Sequence, residues 1–273
     1  MTSIQRLIKL VADAIAIGLV IAIIGGASTA LLAISGIKSL KNEIQEIKEN
    51  EEFTLYTIEE VPENITLELL TASLAIETGD KFTVYCSDGI RVRNKKGTLR
   101  IEDTVKELLS ISNSHSIVVT LPKGMAFSKA NISSGSGSIY IEKLVCDKLD
   151  LDLGVGKTEF SYIKAATSAD IDGGVGDVTV RKGLLNNLEY SVGVGKSDIT
   201  AKITGISEIE AGIGDVKVNL TGGEKLYTIK GETGIGVMRV GNEKLSDGSV
   251  IGEGKNVISV EGGIGAVRID FAE

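Results

Sequence analysis

The sequence predicts an all-β fold: a single-stranded parallel β-solenoid of Gly-x-Gly rungs about 20 residues long. One N-terminal transmembrane helix and a short helical stalk precede it. Three observations predict this. A long uncharged apolar run lies near the N-terminus, Gly-x-Gly recurs at a nearly fixed interval, and apolar and polar residues alternate on both sides of those glycines. The division that follows is residues 1–50 for helix and stalk and residues 51–273 for the solenoid.

Composition sets the bounds. The chain has 273 residues, 33 of them Gly, with 2 Pro, no Trp, 4% aromatics and a formal charge of −8. Ordinary usage of roughly 7% would give about 19 Gly, so the surplus needs a place. Two Cys, Cys86 and Cys146, with no CxxC pair and a single His, exclude a disulfide scaffold and a Cys/His metal centre. The two thiols fit buried small residues better than a bridge. The acidic balance disfavours nucleic acid as a partner.

Residues 14–37 carry no charge. At about 1.5 Å per residue a helix there spans roughly 36 Å, enough for a bilayer core of about 30 Å. A signal peptide has an apolar run of only about 7–15 residues, so an uncleaved single-pass anchor is expected. Arg6 and Lys9 before the span balance Lys38 and Lys41 after it, and charge leaves the orientation open. Ala14, Gly18, Ala22, Gly26 and Ala30 recur every fourth residue, a small-residue stripe that would let two copies approach closely. Ile37, Leu40, Ile44 and Ile47 continue as an a/d seam, either a parallel coiled coil or a stalk packed on its own domain.

Before the repeats, residues 65–76, 81–86, 91–101 and 116–121 read as strands, and residues 104–109 as a short helix. They are expected to form degenerate first rungs and a cap. The repeat proper follows at Gly135, Gly154, Gly174, Gly193, Gly212, Gly234 and Gly263, with steps of 19, 20, 19, 19, 22 and 29. A fixed period near 20 marks a stacked-repeat architecture. Three residues before the first Gly stand Ile132, Leu151, Ile171, Tyr190, Ile209, Gly231 and Val260; six after it stand Ile141, Phe160, Val180, Ile199, Val218, Val240 and Ile269. This two-residue periodicity predicts two short strands per rung, bent at a glycine corner. The preference of parallel crossovers for one hand predicts a right-handed coil. The two longer steps predict insertions near residues 222–225 and 241–254.

With these residues in view, the chain resembles the bacterial putative-adhesin family of membrane-linked β-strand-repeat domains, a domain of unknown function. The resemblance rests on the strands of residues 65–86, on Ile117-Val-Val-Thr-Leu-Pro122, and on the Gly-x-Gly rungs from Gly135 to Phe271. It implies an envelope location with the solenoid outside the cytoplasmic membrane. It supplies no catalytic residues and no cofactor.

Two motifs imitate phosphate loops. Gly154-Val-Gly-Lys-Thr158 and Gly193-Val-Gly-Lys-Ser197 match the end of a P-loop, but Leu151 and Tyr190 stand where its first Gly is required, and no helical pattern follows. Gly173-Gly-Val-Gly-Asp177 imitates a calcium nonapeptide, but with a period near 20 instead of nine.

Stacking turns sequence rows into surface rows. Three residues after the first Gly, Lys157, Asp177, Lys196 and Asp215 alternate in sign and predict a ladder that helps set register. Two and four residues before it stand Asp152, Asp172, Glu210, Glu232 and Glu261, and Asp150, Asp170, Glu189 and Glu208. These nine carboxylates form the candidate surface, for a basic partner or loosely held divalent cations; a solvated face is the plain alternative. No catalytic, cofactor or tight metal residues are expected. Three functions remain open: a non-catalytic adhesin-like or scaffold protein of the envelope, a membrane-tethered cytoplasmic scaffold that polymerises end to end, and a polysaccharide-active β-helix enzyme. The short rungs and absent Trp weigh against the last.

Overall fold

In the computed structural model, residues 53–103 and 115–272 are described. The expected transmembrane helix, the stalk and the helix at residues 104–109 lie outside them. Among the described residues no helix is long and apolar enough to cross a membrane. Strand dominates, and the one helical element there is a single 3-10 turn, Glu224–Leu226.

The strand Leu144–Phe160 shows how a rung is built. Its residues 144–146 pair in parallel with 163–165 of the next rung, 148–152 with 168–172, and 155–160 with 175–180. Each turn of the solenoid therefore presents three paired segments, one more than the sequence suggests. The extra segment, at 163–165, 183–186 and 201–204, is only three or four residues long, too short to show a two-residue period.

The core fills the coil. Leu151, Ile171, Tyr190, Ile209 and Val260 point inward from before the corner, and Phe160, Val180, Ile199, Val218 and Ile269 from after it; all are at most 2% exposed. Cys86 and Cys146 are buried free thiols. Thr158 and Ser197 of the imitation P-loops are buried as well, and strand continues through both motifs, so no phosphate cradle exists there. Tyr190 and Ser197, opposite each other within one rung, share a hydrogen bond of 2.8 Å. That bond explains a polar residue at an inward position.

Rung order departs from chain order at both ends. The Gly212 rung stacks on the Gly263 rung, and the Gly234 rung lies outside that. At the other end Asn64–Leu69 and Ala72–Gly79 stack on the Gly135 rung, and Thr98–Asp103 with His115–Pro122 lies outside them. Each outermost rung is covered by antiparallel strands: Glu243–Lys244 and Ser249–Ile251 at one end, Thr83–Ser87 and Ile90–Lys95 at the other. A parallel stack ends in open strand edges that invite pairing with other chains. Folding the chain back over its own outer rung closes most of the edge at the N-terminal end, and closes residues 229–231 and 239–240 at the other. The expected insertion at 241–254 is thus part of a cap. It delivers Leu245, 2% exposed, into the space left by Gly231, whose missing Cβ would lie 3.2 Å from that leucine.

The expected single strand at 91–101 is a hairpin turning at Lys96 and Gly97, both with positive φ. The Asn94-Lys-Lys-Gly97 tetrapeptide was its sequence signal.

Candidate functional site: a carboxylate face

Register places the predicted carboxylates in two outward rows on one face. The first runs Asn131, Asp150, Asp170, Glu189, Glu208, Ser259, Lys230. The second runs Ser133, Asp152, Asp172, Ser191, Glu210, Glu261, Glu232 in the same way. The swapped end rungs change two neighbours: Ser259 separates Glu208 from Lys230, and Glu261 separates Glu210 from Glu232. All nine carboxylates are outside the core.

The rows are partly compensated. Lys129 lies 3.5 Å from Asp150. Ser133 donates to Asp152 at 3.3 Å, and Ser191 to Glu210 at 3.5 Å. The rest of the second row carries its repulsion. Burial pushes the Asp172 carboxyl up, and the charges of Asp152, Asp170 and Glu210 add to it against a backbone hydrogen bond from Gly174. Glu261 is pushed up by burial and then by Glu210, Glu232 and Glu208. Among the described residues no group of three or more His, Cys, Asp or Glu is arranged to hold a metal ion. The carboxylates stand one above another at rung spacing, about 4.8 Å, and do not converge on a point.

Toward the N-terminal end the second row continues through Glu68 and Glu102, which sequence spacing did not reach because those rungs lack the Gly-x-Gly marker. Here arginines answer the charge. Arg100 pairs with Glu68 and lies 3.6 Å from Glu102; Arg91 lies 3.8 Å and Arg93 4.0 Å from Glu102.

The corner glycines have a steric cause. A Cβ on Gly154, Gly193, Gly212 or Gly263 would lie 1.8–2.0 Å from a carbonyl oxygen of the rung beneath. Gly174 and Gly234 are equally closed, at 1.7 and 2.1 Å from backbone oxygens, and Gly135 less tightly, at 2.7 Å. Beside them Lys157, Asp177, Lys196 and Asp215 are partners in successive rungs. The ion pair that Lys157 makes is with Glu159 of its own strand, at 3.9 Å. Glu159 in turn accepts a 2.7 Å bond from Arg181. An open groove of about 250 Å³ lies at the C-terminal end of the face, with Glu208, Lys230, Glu232 and Glu261 among its walls.

A family model described as Toastrack DUF4097 matches residues 62–247. The chain belongs to the Toastrack DUF4097 family. Solved structures similar to this Toastrack chain include a putative cell adhesion protein from Clostridium sporogenes, 18% identical, covering 81% of this chain and 99% of its own, with a TM-score of 0.38. A putative adhesin from Bacteroides fragilis is 14% identical, with coverages of 81% and 98% and a TM-score of 0.42. A putative adhesin from Parabacteroides distasonis is 14% identical, with coverages of 81% and 96% and a TM-score of 0.37. No curated protein matches the chain.

Proposed function

We propose that this Toastrack protein is a non-catalytic, membrane-anchored component of the bacterial cell envelope, adhesin-like or scaffolding in role. In this reading residues 14–37 are a single membrane span, residues 38–50 a stalk, and the solenoid is displayed on the outer side. The observation that carries it is the carboxylate face: two charged rows held outward on a packed, capped stack. Such a face suits contact with an extended basic partner or with loosely held divalent cations. The names of the adhesin-like neighbours point the same way.

Protease treatment of intact cells tests the reading. The solenoid should be cleaved before lysis; degradation only after lysis would exclude display on the outer side. It would favour instead a membrane-tethered cytoplasmic scaffold polymerising end to end. One observation speaks for that alternative: Ile235 of the outermost rung is 74% exposed. Calcium titration by calorimetry tests the cation version of the surface separately, and absence of heat at millimolar calcium would remove it.

A further inference from the structure

The carboxylate face has a counterpart on the other side of the glycine corner. Five residues after the first Gly, Lys217, Arg268 and Arg239 are partners in successive rungs, and Lys244 pairs with Arg239 from the capping strand. Four cations therefore stand in one row at about 4.8 Å intervals, with Asp198 opposite Lys217 at the inner end of the row. All four are exposed, and among the described residues none of them makes an ion pair within 4.0 Å. Like charges directly opposite each other across strands are destabilising.

The carboxylate row of the same rungs has the inverse problem. Glu210, Glu261 and Glu232 are stacked without a cation between them, whereas arginines answer Glu68 and Glu102 at the other end. The cations that would match Glu210, Glu261 and Glu232 belong to the same rungs but stand beyond the glycine corner, seven residues along each strand pair. One chain cannot fold its two faces together. A second copy can, and because both rows share one rung spacing, the match extends over several rungs. Val237, 42% exposed, stands two residues before Arg239 on the same side of its strand and would lose water in the same contact.

We propose that this protein associates side by side, the cation row of one copy (Lys217, Arg268, Arg239 and Lys244) seated on the carboxylate rows of the next. The two surfaces differ, so the contact is head-to-tail in kind and extends into a row unless rotation closes a ring. It is independent of which side of the membrane the solenoid occupies.

Sedimentation velocity of the full-length chain in mild detergent tests this. The parent should associate at about 0.05 M salt and weaken on the order of tenfold at about 1 M, where screening shortens to about 3 Å. R239E/R268E and E210K/E261K should each lose association, and an equimolar mixture of the two should regain it, since each supplies what the other lacks. R239Q/R268Q, which removes charge without reversing it, should fall between parent and reversal. Far-ultraviolet circular dichroism confirms that each variant keeps its strands. A monomeric parent, association that persists at high salt or in R239E/R268E, or a mixture that stays dissociated would each overturn the proposal. So would unchanged self-association in R239E/R268E accompanied by lost binding to short-chain phosphatidylglycerol, which would assign the cations to an anionic lipid surface.

Discussion

Replacing Gly193 by alanine puts a Cβ 1.8 Å from the carbonyl oxygen of Gly174. That oxygen accepts the Val194 N–H at 2.7 Å. Real Cβ contacts do not fall below 3.0 Å, so the two rungs must part locally by at least 1.2 Å. A 2.7 Å hydrogen bond does not survive that, and neighbouring ladder bonds lengthen with it. At about 1 kcal/mol net for each of three or four backbone bonds, the expected cost is about 3–4 kcal/mol. A domain whose whole stability is about 5–15 kcal/mol would lose a large share of it. Gly124→Ala is the control. Gly124 has φ +83° but nothing within 4 Å of where a Cβ would stand, so it should cost only about 1 kcal/mol of backbone strain. Equilibrium urea unfolding of the full-length chain, followed by circular dichroism, reads both. If Gly193→Ala proves no more costly than Gly124→Ala, rung contact is not why the corner is glycine.

Three further outcomes follow from the geometry. Tyr190→Phe should destabilise by about 1–2 kcal/mol because it orphans the buried Ser197 hydroxyl, and adding Ser197→Ala should recover part of that loss; additive costs in a double-mutant cycle would refute the pairing. Burial, then Asp88, pushes the Cys86 thiol up to about 11, and burial, then Asp147, pushes Cys146 up to about 12. Both thiols should resist labelling at pH 8 until denaturant is added, and their contribution to stability, complete below about pH 9, should be lost as the pH rises through 11 and 12. Rapid labelling of the folded chain would contradict this. Glu210 helps to raise both Asp172 and Glu261, so Glu210→Gln should stabilise the monomer by a few tenths of a kcal/mol and lower the pH at which those two carboxyls titrate by NMR; a destabilised chain would show that the Ser191 hydrogen bond to Glu210 outweighs the repulsion.

The middle of the solenoid was legible because each rung repeats its own evidence. Leu151, Ile171 and Ile209 recur at one offset from Gly154, Gly174 and Gly212, and one-residue slips would turn all of them outward. The carboxylate rows followed from the same offsets. The ends were not legible, because stacking order is a choice between equivalent partners. Nothing local to Gly263 says that its rung sits on Gly212 and not on Gly234, since all three carry Ile after the glycine and strand pattern beyond it. The sole trace was the 29-residue step, and length alone does not say that the extra residues turn back as a cap. The cation row was hidden for the same reason: Arg268 and Arg239 lie 29 residues apart, and Lys217 meets Arg268 only once the order is exchanged.

That exchange makes the strands Asn256–Glu261 and Ile264–Ala272 a keystone. They touch the Gly212 rung on one side and the Gly234 rung on the other. A ribosome delivers the Gly234 segment first, when the surface it will finally rest on has not yet been made. That segment must wait, undocked, for later residues to slip in beneath it. A chain cut before residue 256 would therefore lose two layers instead of one, with the Gly234 rung and its cap left hanging from the intact stack. Only a chain that carries residues 256–272 closes that end, so exposure of the Gly234 rung reports that this keystone is missing or undocked.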